Sequence, residues 1–108
     1  MSTFDNREKA FEAKFAHDAE MQFKAEARRN RLVGLWAADI MGMGEADAEA
    51  YARTVIAADF EEAGHEDVVR KVVKDLTEHG SQITADEVRA QLREMLVQAK
   101  QSLAEDAS

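Results

Sequence analysis

The sequence predicts an all-α fold: a small four-helix bundle with an N-terminal helical or disordered extension. Three observations predict it. The 108 residues hold no Pro, while charged residues make up 33% and hydrophobic ones 45%, with Glu prominent in the first group and Ala in the second. Such a composition is rich in helix formers. Apolar residues recur at three- and four-residue steps over four stretches. Apart from Gly34, the five glycines fall between those stretches, at Gly42, Gly44, Gly64 and Gly80. A chain of this length makes one domain.

The first helix is predicted over residues 5–41. Nothing interrupts it before Gly34, and a lone Gly inside a helix is tolerated. Leu32, Leu35, Trp36 and Ile40 form its core stripe. The second helix, over 45–62, follows the Gly42-Met43-Gly44 turn. Its first turn carries Glu45, Asp47 and Glu49, where the helix dipole favours negative charge. Its expected buried face is Tyr51, Ala52, Val55, Ile56 and Phe60, and Gly64 closes it.

The third helix, over 66–79, has Val69, Val72, Val73 and Leu76 as its stripe. Glu66/Arg70 and Asp67/Lys71 are correctly oriented i,i+4 pairs. Its β-branched stripe lowers intrinsic helicity, so packing must hold it. His79 suits the helix end, and Gly80 closes it in the left-handed conformation. The fourth helix, over 85–104, opens on the capping box Thr84-Ala85-Asp86-Glu87, with Ile83 and Val88 as the staple. Val88, Leu92, Met95, Leu96, Ala99 and Leu103 mark one face. Connections of about two to six residues imply antiparallel neighbours.

One helix is too long for the others. Residues 5–41 span roughly 55 Å, against roughly 20–30 Å for each remaining helix. The expectation is therefore a mobile segment over residues 1–18 and a bundle over 19–108. The overhang is not polar. Phe4, Phe11, Phe15, Ala19 and Phe23 recur at steps of seven and four, and hold four of the chain's five Phe. An uncovered aromatic stripe has the form of helix-in-groove recognition. The plainer reading is a stripe that folds back on the bundle or pairs with a second copy.

Composition excludes several functions. With no Cys there is no disulfide, thiolate metal site or Cys nucleophile. A net charge of −8 opposes general nucleic-acid binding. No stretch approaches the roughly 20 apolar residues that cross a bilayer. The first residues show no basic region followed by an apolar run, so the expected location is cytoplasmic. Residues 1–31 hold seven basic and six acidic side chains, whereas residues 32–108 hold seven and sixteen. Such asymmetry marks a contact segment.

Chemistry-bearing motifs are few. Lys24, Arg28 and Arg29, with Arg31, form one basic cluster. Lys24, Arg28 and Arg31 share a helix side, and Arg29 lies about 100° from Arg28. Planar guanidinium forks suit phosphate, and the plainer reading is a solvated face answering the acidic helices. No Walker-type loop and no dinucleotide fingerprint occurs. Glu62 and His65 have Glu-x-x-His spacing, but a di-iron bundle needs two such pairs and two more Glu; no metal site is expected. Neither a nucleophile elbow nor a nucleophile–base pair is legible, and no catalytic residue is assigned. Met21, Met41, Met43 and Met95 read as gap-fillers of the core, with Trp36 and Tyr51 at its rim.

Phe11-Glu12-Ala13-Lys14-Phe15-Ala16-His17-Asp18, Lys24-Ala25-Glu26-Ala27-Arg28-Arg29-Asn30 and Gly34-Leu35-Trp36-Ala37-Ala38 carry a family resemblance. Together with Ala50-Tyr51-Ala52 and Ala58-Asp59-Phe60-Glu61-Glu62, they resemble the zeta subunit of the alphaproteobacterial rotary ATP synthase. The resemblance covers essentially the whole chain and is densest over residues 4–62. It departs at Ala63-Gly64, where relatives are expected to carry Pro-Gly. It implies a four-helix bundle and a non-enzymatic regulator that inhibits ATP hydrolysis by the synthase's catalytic head. The implied inhibitory element is the N-terminal segment, ordering as a helix between catalytic and rotor subunits. Phe4, Arg7, Glu8, Phe11, Glu12 and Phe15 are then the partner-binding residues. It further implies weak ADP or ATP binding, with no cofactor required; Lys24, Arg28 and Arg29 are the physical choice for that site. The protein would be a monomer when free, peripheral to the inner membrane through the synthase. Two other readings remain open: a nucleotide-sensing helical adaptor for another enzyme, using the arginine cluster, and a scaffold that dimerises through the Phe stripe.

Overall fold

The structure, a computed structural model, describes the backbone of residues 3–60 and 64–106, with side chains from Asp18 onward. Four helices follow one another: α1 Thr3–Ile40, α2 Glu45–Ala58, α3 Glu66–Glu78 and α4 Ala85–Asp106. No strand occurs among the described residues. The four-helix all-α expectation therefore holds.

Two helix stops, those of α1 and α3, fall at glycines. After α3, His79 caps the helix and Gly80 takes φ +83°. The Gly80 amide donates to the Thr77 carbonyl and the Ser81 amide to that of Leu76, both at 3.0 Å. These two bonds satisfy carbonyls that the helix end would otherwise orphan. The same pair of bonds closes α1 around Gly42. At the start of α4, the Glu87 amide donates to the Thr84 hydroxyl at 3.2 Å. The Glu87 carboxylate accepts from that hydroxyl, also at 3.2 Å, rather than from the Thr84 backbone.

α1 and α2 form an antiparallel hairpin. Gly34 sits against Ala52, Asn30 reaches Asp59, and Phe23 meets Phe60. A Cβ placed on Gly34 would lie 2.7 Å from the Ala52 Cα, closer than two carbons can approach. Here Gly does more than sit harmlessly in a helix: it lets two backbones touch. α3 and α4 meet differently. Glu66, the first residue of α3, pairs with Arg89, the fifth of α4. In an antiparallel pair these residues would lie far apart, so α3 and α4 cross.

The core is small and rich in Val. Val33, Ala37, Val55, Val68, Val69, Val72, Leu76, Val88 and Leu92 form its buried cluster. Trp36, Met41, Tyr51 and Met95 pack partly buried against it. Tyr51 donates to Asp75 at 2.8 Å, and Lys71 bonds the same carboxylate oxygen while lying 5.2 Å from the Tyr51 ring centre. Burial, then the bond to Asp75, pushes the Tyr51 hydroxyl far above its ordinary pKa.

Several expectations need correction. The α1 stripe runs through Ala25, Arg29, Val33 and Ala37, with Ile40 exposed and Leu32 and Leu35 only partly buried. α2 ends at Ala58, not near 62, because the Asp59 side chain is held by α1 and the chain turns there. Phe60 consequently leaves the core and is 65% exposed. Asp67 pairs with Arg70 and Lys71 with Asp75, in place of the Asp67/Lys71 pair. Glu62 and Ala63 lie outside the described residues.

The Gly34 contact yields a stability test. Ala at this position gains roughly 1 kcal/mol in helix propensity. Overpacking against the Ala52 backbone costs about 1–3 kcal/mol. Gly34→Ala is therefore expected to lower the unfolding free energy by about 1 kcal/mol net, read by chemical denaturation. Gly34→Leu is expected to prevent the hairpin from closing.

Candidate functional site

Two regions of α1 carry the residues of interest. The first is its N-terminal stretch. Phe4, Arg7, Glu8, Phe11, Glu12 and Phe15 fall on the helical backbone, and their side chains lie outside those described. What the structure does place is the end of the bundle beside this stretch. Among the described residues, the turn after α2 meets α1 at Phe23, through Phe60. Every buried residue of α1 among those described lies at Ala25 or later. α1 itself, at roughly 57 Å for its 38 residues, accounts for most of the 65 Å long axis of the molecule.

The second region is a groove of about 720 Å³ where α1 passes α2 and α4. Phe23, Ala27, Leu32, Ile56 and Leu103 supply its apolar lining. Lys24, Arg28 and Arg31 edge it, with Gln98 and Ser102 completing the α4 side. The three cations stand at i, i+4 and i+7 on one helix, so a shared side follows from periodicity. Each has an acidic neighbour: Lys24 pairs with Glu20 at 3.0 Å, Arg28 with Asp106 at 2.9 Å, and Arg31 with Glu49 at 2.5 Å. Arg28 also donates to the Ser102 hydroxyl. Phe23 is 54% exposed, and its ring lies 5.8 Å from that of Phe60, tilted by 41°.

Arg29 parts company with its neighbours. It is 2% exposed and lines a different wall. Its Nε and Nη2 donate to the Asn30 carbonyl oxygen at 3.1 and 3.0 Å. The Asn30 amide in turn donates to Asp59 at 2.9 Å, and Arg29 lies 3.5 Å from the same carboxylate oxygen. The His65 Nδ1 stands 3.0 Å from Arg29 and 3.1 Å from Asp59. Burial pulls the Arg29 guanidinium below its ordinary pKa, opposed by the charges of Asp59 and Glu26. The group is a buried cation held by α1 and by the turn between α2 and α3. Of the three cations selected for phosphate, Lys24 and Arg28 share the groove and Arg29 does not. Asn30 was not selected at all, although it falls on the buried side of α1. Among the described residues no three His, Asp or Glu gather as a metal site.

Fold and site together define a small helical protein that presents one long helix and, at its root, a cation-edged apolar groove. No described helix is long and apolar enough to cross a membrane. The chain belongs to the ATPase inhibitor subunit zeta family, whose family model matches residues 1–102. It is thus a regulatory subunit associated with the ATP synthase rather than an enzyme. A protein structure solved by NMR in solution is similar: 51% identical, with a TM-score of 0.71, over 80% of this chain and 98% of its own. No curated protein matches the chain.

Two measurements check this geometry. Removing Asp59 leaves Arg29 buried and unpaired, which costs about 3–5 kcal/mol for a pair of this kind. Asp59→Ala is therefore expected to lower the unfolding free energy by about 3–5 kcal/mol and shift the denaturation midpoint well down, while Asp106→Ala, at an exposed pair, leaves the denaturation curve nearly unchanged. On the wall shared with Arg29 and His65, Arg89 donates to both Glu66 oxygens, at 2.6 and 3.2 Å, and holds that carboxyl below its ordinary 4.5. A depressed value stabilises the fold above the ordinary pKa, and the contribution disappears as pH falls through the lower one. NMR titration is expected to put the Glu66 midpoint below 4.5, and Arg89→Ala to raise it.

Proposed function

We propose that this chain inhibits ATP hydrolysis by the rotary ATP synthase by inserting residues 1–18 between catalytic and rotor subunits, while residues 19–108 remain outside as the bundle. The supporting observation is the mismatch of lengths. α1 is one helix of 38 residues from Thr3 to Ile40, against 14, 13 and 22 residues for α2, α3 and α4, and among the side chains described, which begin at Asp18, the first buried one is Ala25. A helix so much longer than its neighbours has turns to spare for a partner.

Phe4, Phe11 and Phe15 are the apolar anchors of this reading, with Arg7, Glu8 and Glu12 between them for the walls of the cleft. Burying three Phe supplies about 1.5–3 kcal/mol each, less the ordering of the segment. The stripe inhibits by holding one catalytic conformation, which requires that it bind this conformation better than the others. The working place is the cytoplasmic face of the membrane, where the catalytic head stands. The free protein is a monomer in this reading. ADP or ATP acts at most as a weak modulator, through Lys24 and Arg28, with Arg29 bracing the helix from behind.

The test compares the full chain with one lacking residues 1–17, against the cognate rotary ATPase. The shorter chain keeps every described core residue, because these lie between Ala25 and Leu103. Inhibition by the full chain and none by the shorter one is expected. Equal inhibition by both moves the site to the bundle; none by either removes the reading.

A further inference from the structure

We propose that the groove at the root of α1 is a second docking surface, which takes an acidic, apolar-faced helix on the outer side of the catalytic head. The proposal rests on the inhibitory reading above and adds where the bundle itself is held. The first observation is charge. Among the described residues no acidic side chain lines this groove, whereas Lys24, Arg28 and Arg31 do. These three cations are paired from outside the lining by Glu20, Asp106 and Glu49, so on a protein of net charge −8 an anionic partner fits the groove by taking the place of those acids.

The second observation is exposed aromatic surface. Phe23 and Phe60 stand 54% and 65% exposed with their rings in contact, beside the apolar groove floor. Neither ring is needed by the core, whose buried cluster contains no Phe. Contiguous exposed aromatics edged by cations are the anatomy of an interface, with an apolar centre and a charged rim.

Spacing then specifies the partner. Lys24, Arg28 and Arg31 stand on one side of a helix across roughly 10 Å. Carboxylates at three- and four-residue steps on a facing helix match that interval. The acids that now neutralise these cations do not bar it. Glu20, Asp106 and Glu49 form solvent-exposed pairs, and such pairs exchange at little cost. The apolar floor favours a helix over a free nucleotide, since phosphates use the cations and leave the floor uncovered. Position supplies the consequence. The groove begins at Phe23, on the same helix as the inserting segment. Docking there raises the effective concentration of residues 1–18 at their cleft.

The experiment uses full-length variants, with circular dichroism confirming the fold. Phe23→Ala/Phe60→Ala removes exposed rings, and Lys24→Glu/Arg31→Glu reverses exposed charges. Binding to the isolated catalytic head and inhibition of ATP hydrolysis are measured at low and high salt. Each double variant is expected to weaken binding and raise the half-inhibiting concentration at least tenfold. The charge reversal is also expected to abolish most of the salt dependence. Unchanged values for both variants overturn the proposal while the inhibitory reading stands. Wild-type binding without inhibition removes the inhibitory reading, and the variants' binding still decides the groove. Wild type that neither binds nor inhibits overturns both. A micromolar dimer lost in Phe23→Ala/Phe60→Ala makes a second copy the occupant, and groove resonances shifted by ATP but not by the head make it a nucleotide; either overturns the proposal.

Discussion

α1 and α2 come into backbone contact at Gly34 and Ala52, and the remaining architecture depends on that contact. Two helix backbones touch there because one residue lacks a Cβ. The contact sets the register of the hairpin: Asn30 comes level with Asp59, and Phe23 with Phe60. α2 has only 14 residues, so fixing its middle at Ala52 decides where it ends along α1. The turn after α2 then falls beside Arg29, and the groove opens where α1 runs on past its short neighbour. A side chain at Gly34 would push the helices apart and loosen all of these relations together.

The second constraint is polar. A core of mostly Val and Ala buries limited area, and yet it encloses Arg29 and Asn30. A buried ion pair gains little over a well-packed apolar substitute, because desolvation offsets the attraction. Its geometry, however, tolerates little displacement. Asn30 accepts from Arg29 and donates to Asp59, so α1 and the end of α2 are joined by directional bonds that an apolar contact would not supply. His65 joins the same cluster from the start of α3. Three helices are thereby referenced to one point on α1.

Much of the fold was legible in the sequence. Helix number, the glycine stops at Gly42 and Gly80, and the hydroxyl half of the Thr84–Glu87 cap all follow from local chemistry acting within a few residues. What was illegible depended on contacts between helices. Arg29 sits in a basic run, and charge alone reads it as surface. The contrary signal was periodicity: Ala25, Arg29, Val33 and Ala37 recur every four residues, which puts Arg29 on the buried line. Phe60 shows the reverse error. Its apolarity and spacing place it inside a continued helix, but Asp59 turns away to Asn30 and the helix ends two residues earlier. Lys24, Arg28 and Arg31 were correctly read as one side of α1. The place of Arg31 in the groove depends on where α2 and α4 lie. The side chains of Phe4, Phe11 and Phe15 fall outside the described residues, so their roles stand as proposals.

The distribution of aromatic residues connects these constraints to function. A small domain with few large apolar side chains ordinarily places its Phe in the core, where each contributes most to stability. Here the core is closed with Val, Leu and Ala, and both described Phe stand on the surface. Stability forgone in this way is recovered only if another molecule covers the rings. α1 makes the arrangement mechanically consistent. A single helix carries both the groove residues and the segment before them, without Gly or Pro upstream of Gly34 to act as a hinge. Whatever holds the groove therefore also aims the N-terminal turns, and a short bundle suffices to direct a helix much longer than itself.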